Sequence, residues 1–271
     1  MIDYEDICLV TDYLNNNVFE DLLFSEYQCL KHEGDYNKEI VKALSYIESG
    51  GQFAFYELDF KESEQKSLSV IKIDELNEME LYLSTIQNLP EILNSILELT
   101  NEESNFLSKL IKKQVQHIVE VEKADDARLI IKTRGAYSSD GCDYWHVDKD
   151  KNQPLKEMGQ KQVGWKYADR LHVIPLVGEG TEYQEIGNEE RELFYQVANE
   201  TLSYYGHVLP NGCESGDIIT KLFNHSNKHV VKIGTGAVHK LGEQGSLHKA
   251  PSESMTGRIL LMITPIYKLK N

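Results

Sequence analysis

Arginine is scarce in this chain. Only Arg128, Arg134, Arg170, Arg191 and Arg258 occur among 271 residues, and the formal net charge is −16. That balance argues against a broad nucleic-acid-binding face, which needs clustered Lys and Arg. A small basic patch stays possible, and solubility is the plainer reading of the acidity. Cysteine is sparse too: Cys8, Cys29, Cys142 and Cys213 are scattered, with no CxxC pair. This excludes a zinc site of closely spaced thiolates and a disulfide scaffold, and it fits reduced thiols in a cytoplasmic protein. No apolar run approaches membrane-spanning length. The opening MIDYEDICLV is acidic and lacks the basic and apolar stretches of a signal peptide. Also missing are GxSxG, GxxxxGK[ST], HExxH and a GxGxxG that opens a helix, which removes the commonest hydrolase, nucleotide and metalloprotease signatures. The GTG at 234–236 lies between strand patterns and reads as a bulge or turn.

What remains is an ordinary globular composition, 41% hydrophobic and 27% charged, long enough to bury a substantial core. Up to residue 126 the pattern is mainly helical. Segments 17–32 and 36–49 carry apolar residues at three- and four-residue spacing. After Gly50-Gly51, QFAFYELDF alternates as a strand does, and LSVIKID (68–74) is a second strand candidate. Helical spacing returns in 75–89, in 90–100 with Pro90 at its start, and in 101–123, where Asn101 and Glu103 precede an apolar run.

From residue 127 the pattern turns to short strands divided by Gly, Ser, Asn and Pro. These are RLIIKTRGAY, DYWHVD, RLHVIPLV, DIITKLF, HVVKIGTGAVHKL, SLHKA and GRILLMITPIYK, with one helix expected at 190–206. The sequence predicts an α+β fold in which a mainly helical N-terminal layer (1–126) packs on a jelly-roll core (127–271), the two forming one integrated domain.

The chemistry concentrates at His146-Val147-Asp148. Residues two apart on a strand share a face, so His146 and Asp148 project together. A second histidine on that face would complete a two-histidine, one-carboxylate facial triad, a set that suits non-heme Fe(II) and leaves coordination positions open. His248, in the strand-like GSLHKAPS, is the candidate; His239, in GAVHKLG, is a second. Arg258 opens an apolar strand, where a guanidinium needs an anionic partner. Either a protein carboxylate or a bound dicarboxylate, gripped through a bidentate fork, would serve.

GEGTEY (178–183) is either a turn after a strand, made by Gly178 and Gly180, or a source of cavity-facing polar groups in Glu182 and Tyr183. Thr181 reads as structural. His172 alternates with Ile174 and is either a hydrogen-bonded core residue or a substrate contact facing the metal interior. His225 and His229 flank Ser226-Asn227 and read as loop histidines. Cys142 reads as a small core residue. The long segment after Asp148, with Trp165 and Tyr167, is a lid candidate.

His146, Asp148, His248 and Arg258, in that order on predicted strands, resemble the Fe(II)/2-oxoglutarate-dependent oxygenase superfamily. The resemblance implies a double-stranded β-helix, iron held by His146, Asp148 and His248, and 2-oxoglutarate as co-substrate with its distal carboxylate on Arg258. O2 is then the second co-substrate. GCDYWHVD, RLHVIPLVGEGTEY, GAVHKLG and LHKAPS…GRILLMI also resemble an uncharacterised bacterial domain family with FHxD, GPGTEW and HRSPP blocks. The match falls on Cys142, His146, Asp148, Gly178, Gly180, Thr181, Glu182, Tyr183, His248 and Pro251. Trp145 stands where that family has Phe, and Lys249-Ala250 where it has Arg-Ser. The expected function is oxygenation of a small molecule or of a peptide or protein side chain. A cupin-like metal enzyme that does not use 2-oxoglutarate and a non-catalytic jelly-roll binding protein are the alternatives.

Overall fold

A computed structural model of the chain describes residues 36–74, 76–136, 144–148, 164–198, 201–202, 207–209, 228–251 and 257–269. The expected helix at 17–32, the strand at 217–223, the segment 149–163, all four cysteines and His225 lie outside the described residues.

The elements in order are α1 (Tyr36–Glu48), β1 (Phe53–Glu57), α2 (Glu62–Leu68), β2 (Asn77–Tyr82), a 3-10 turn (Leu83–Asn88), α3 (Leu89–Leu97), α4 (Asn101–Glu122) and β3 (Asp126–Arg134). There follow β4 (Val147–Asp148), β5 (Trp165–Tyr167), β6 (Arg170–Val177), β7 (Glu182–Gln184), α5 (Asn188–Ala198), β8 (Thr201–Leu202) and β9 (His207–Leu209). The last are β10 (His229–Val230), β11 (Thr235–Lys240), β12 (Leu247–Lys249) and β13 (Arg258–Lys268).

The helix α4 begins at Asn101, where the sequence signals it, and its cap is the residue before, Thr100. Thr100 Oγ1 accepts from the Glu103 amide at 3.2 Å, and Glu103 returns a carboxylate oxygen to the Thr100 amide at 2.9 Å, a reciprocal cap. Its Leu107, Ile111, Val115 and Ile118 recur along one face and are fully or almost fully buried. They lie in one apolar cluster with Leu129 and Ile131 of β3, Ile174 and Leu176 of β6, Val238 of β11 and Leu261 and Ile263 of β13. Each such side chain contributes about 1.5–3 kcal/mol by leaving water.

The large sheet runs β1-β11-β6-β13-β3-β2, with β5 added at the end of β13, and every pairing is antiparallel. A smaller set, β10-β7-β12, faces it, and a His146–His248 bridge connects this set to β4-β9-β8. Pro175 lies inside the central strand β6, where it has no amide to give. The register against β13 shifts between Ile259 and Leu260 at that place, the kind of irregularity that accommodates proline in a sheet.

Three segments differ from the expectation. Residues 77–82, read as helix, form β2: Met79 and Leu81 pack against the core while Glu78 and Glu80 alternate away. Pairing the open edge of β3 outweighs the three- and four-residue spacing. Residues 71–74 form no ladder, although Ile71 and Ile73 are buried. The helix α5 stops at Ala198, short of the expected 206. The region up to 126 thus contributes both edge strands of the large sheet.

On the helix side of that sheet lies a closed polar knot. Glu122 accepts from Arg170 at 2.9 and 2.6 Å, from His172 Nε2 at 2.8 Å and from Tyr267 at 2.9 Å. The other ring nitrogen of His172 meets the Tyr56 hydroxyl at 3.0 Å. Burial on its own pushes the Glu122 carboxyl up, but the hydrogen bonds and charges of Arg170 and His172 outweigh it and hold it down at about 2. A carboxyl held below its ordinary 4.5 adds stability above that value and loses it as pH falls towards 2. The amount is on the order of 3 kcal/mol. Glu122→Gln should therefore lower stability at neutral pH and flatten the acid-side loss between pH 4.5 and 2 in urea titrations. Parallel curves for the two proteins would contradict the role given to this carboxylate.

Candidate metal centre

The strand β4 is two residues long, yet its neighbourhood fixes the site. The His146 amide donates to the His248 carbonyl at 2.9 Å, and the His248 amide donates to the His146 carbonyl at 3.0 Å. Residues directly opposite in an antiparallel pair project to one face, as do residues two apart on one strand. His146, Asp148 and His248 must therefore share a face. Trp145, Val147 and Leu247 take the other, where they pack with Ile186 and with Phe194 of α5 in one apolar cluster. A slip by one residue would bury the ligands in that cluster and expose Trp145 to the site, so the packing enforces the register.

On the shared face the three side chains offer one donor atom each, all within 4.8 Å of one another; Asp148 and His248 are buried and His146 is partly exposed. The two imidazoles lie 4.3 Å apart, centre to centre, and His248 Nε2 is 3.5 Å from Asp148 Oδ2. Each ring has its Nδ1 3.0 Å from the carbonyl oxygen two residues earlier, Tyr144 for His146 and Ser246 for His248. A carbonyl only accepts, so Nδ1 carries the proton and the lone pair sits on Nε2. Metal-binding histidines are commonly prepared in this way. Bonds of about 2.0–2.2 Å to a common ion require donor atoms about 3 Å apart, a small contraction from the separation found. The residues fit a divalent ion.

Behind Asp148 stands His239, whose Nε2 is 3.3 Å from Oδ2 and whose Nδ1 is 2.7 Å from the Tyr183 hydroxyl. Burial pushes His239 down to about 4 against the opposing pull of Asp148, so the ring is neutral at pH 7. It lies outside the three-donor group. Tyr183 is the centre of a cross-strand row, opposite His248 on one side and His229 on the other. His229, expected in a loop, is buried and packs 5.7 Å from Phe53.

Arg258 is buried at the start of β13, with Nη2 3.4 Å from Thr181 Oγ1. It alternates with Ile259, Leu261 and Ile263, which point to the helix-side core, so its own side chain belongs to the site face. Burial raises the Tyr183 hydroxyl well above its ordinary value; Asp148 adds to this and Arg258 opposes it. The tyrosine therefore lies within Coulombic reach of both. Gly178 ends β6 at φ 69°, and a Cβ there would overlap the Gly257 carbonyl immediately before Arg258.

Two expected contacts fall elsewhere. His172 pairs across from Val238, on the helix side of the sheet, and is bound into the Glu122 knot. It cannot meet a ligand in the metal interior. Glu182 points to the face opposite Tyr183, where its carboxylate lies 3.2 Å from Lys249 Nζ and 3.8 Å from Lys228 Nζ. It neutralises lysines and does not face the triad. The residue whose part the sequence left undefined is His239, visible only as a rival ligand.

No family model matches the chain, and no curated protein sequence matches it. Among solved structures it is similar to the Kdo hydroxylase KdoO, a non-heme Fe(II) alphaketoglutarate-dependent dioxygenase. That match has 14% identity and a TM-score of 0.39, covering 88% of this chain and 85% of that one. It is also similar to dioxygenase for auxin oxidation 1 from Arabidopsis thaliana, at 8% identity and a TM-score of 0.33, over 87% and 80% of the two chains. The likeness is long but loose, and what the centre can do follows from its own side chains. No helix among the described residues is long and apolar enough to cross a membrane.

A divalent ion should stabilise the folded chain. Co(II) added anaerobically at a hundredfold excess over its dissociation constant should contribute about 2.7 kcal/mol, read as a rise in melting temperature. His248→Ala should remove that rise. Melting that ignores the metal in both proteins would exclude a centre here.

Proposed function

We propose that this chain is a non-heme Fe(II)- and 2-oxoglutarate-dependent oxygenase, most simply a hydroxylase, on a double-stranded β-helix. One observation carries the reading: two imidazoles and one carboxylate share a sheet face, both rings having Nδ1 committed to backbone carbonyls. Three ligands on one side of an ion leave the opposite positions open, whereas structural zinc is closed by four. Two neutral imidazoles and one carboxylate leave a divalent ion with a net positive charge, which favours an anionic chelator.

Arg258 supplies the second half of the argument. A buried guanidinium on the site face suits a carboxylate through two parallel N–H···O bonds. A 2-oxoacid with a distal carboxylate meets both requirements at once. The strand path supports the fold named: β3, β6, β11 and β13 belong to the large sheet, while β7, β10 and β12 form the facing set, to which the His146–His248 bridge joins β4. Iron with 2-oxoglutarate supplies the activation of O2. The chain's own residues hold the donor atoms in one geometry, anchor the distal carboxylate and keep bulk water from the buried Asp148 and His248. The substrate class at this level is a small molecule or a peptide or protein side chain.

In an anaerobically reconstituted sample exposed to O2, succinate should form from 2-oxoglutarate in an Fe(II)-dependent way. His146→Ala and Asp148→Ala should abolish it. Arg258→Ala should keep metal binding but weaken 2-oxoglutarate about 10- to 100-fold, the worth of a charge-assisted hydrogen-bond pair. Full succinate formation by both ligand variants would overturn the assignment, and an unchanged KM in the arginine variant would move the co-substrate elsewhere.

A further inference from the structure

We propose that Tyr183 and His239 form a positioning relay behind the metal centre, Tyr183 donating to His239 and His239 donating to Asp148. The direction follows from the chemistry of the end group. Asp148 as a carboxylate can only accept, so His239 Nε2, 3.3 Å from Oδ2, must carry the proton. A neutral imidazole protonated there has its lone pair on Nδ1. The Tyr183 hydroxyl, 2.7 Å away, must then be the donor. That arrangement gives each atom of the chain a partner of the opposite kind.

Each member sits on a separate rigid element. His239 comes from β11, in register with Phe53 on one side and Leu171 on the other. Tyr183 comes from β7, between β10 and β12, with Phe53 stacked on its ring at 5.1 Å. Asp148 comes from β4. The relay therefore ties the large sheet to the small one at the back of the metal position.

Its effect is on the carboxylate. His239 holds Oδ2, the oxygen that also lies 3.5 Å from His248 Nε2, so Asp148 keeps one rotation about its Cβ–Cγ bond and turns that one oxygen to the ion. A freely turning carboxylate could chelate and consume a position that an oxygenase needs open. The Tyr56–His172–Glu122 set on the other side of the sheet shows the contrast. There Arg170 and Tyr267 saturate the carboxylate, and no donor cluster adjoins it among the described residues.

The inference rests on the metal reading above, and Co(II) binding to the full chain separates the two. His239→Leu should weaken Co(II) about 10- to 100-fold, as loss of an outer-sphere partner does. His239→Gln, whose amide can donate to Asp148, should recover most of it. Tyr183→Phe should weaken binding, and the double variant with Leu should lose little beyond His239→Leu alone, because one chain is being cut twice. The visible spectrum of bound Co(II) should report a raised coordination number in His239→Leu.

If wild type binds no Co(II), the metal reading falls and the relay with it. Wild-type binding matched by a folded His239→Leu overturns the relay alone. So do additive losses in the double variant, or a His239→Gln as weak as the leucine form, which would make His239 a ligand. If the leucine form does not fold, Tyr183→Phe and His239→Gln decide by the same criteria.

Discussion

Two backbone hydrogen bonds between His146 and His248 are the constraint on which the rest of the molecule depends. They join the two-residue strand β4 to β12 and place three donor side chains on one surface by parity alone. Everything else serves to keep that parity. The apolar cluster of Trp145, Val147, Leu247 and Phe194 occupies the reverse surface, and a ladder slipped by one position would exchange the two. The centre is thus a by-product of strand alternation, held in phase by hydrophobic burial on the side that does no chemistry.

Two tyrosine–histidine–carboxylate sets stand back to back, their histidines on the neighbouring strands β6 and β11 of the large sheet. Tyr56–His172–Glu122 faces the helices, and Tyr183–His239–Asp148 faces the small sheet. Their fates differ through what surrounds the carboxylate. Glu122 receives Arg170, His172 and Tyr267 and becomes a buried anion stabilised by its donors. Asp148 meets two imidazoles, His239 and His248, at 3.3 and 3.5 Å, which suits it to share a cation. The same residue types thus fasten a helix to the sheet on one side and frame the candidate metal centre on the other.

The grouping of His146, Asp148 and His248 was legible because it needs only spacing: His146 and Asp148 two apart, with His248 on a later strand flanked by turn residues. Arg258 was legible because a guanidinium at the head of an apolar strand is conspicuous. Side-chain phase was not legible wherever a strand is apolar on both faces. RLHVIPLV is buried from Leu171 onward, so alternation gave no sign of which surface His172 would take. Likewise Glu182 and Tyr183 are adjacent and must diverge, but only the pairing of β7 with β12 decides which one faces His248. In NEMELY, glutamates and apolar residues satisfy helical and strand spacing together, and the unpaired edge of β3 settles the matter.

Arg258 is held by geometry as much as by chemistry. The strand it begins enters the sheet where Gly178 and Gly257 bring bare backbone against bare backbone, and a Cβ on Gly257 would press on the Ile73 carbonyl. The backbone that carries Arg258 is therefore seated by two missing methyl groups, one on its neighbour Gly257 and one on Gly178 across from it. A single added carbon at either glycine would act as a shim, moving the guanidinium relative to His146, Asp148 and His248 while leaving all four side chains intact.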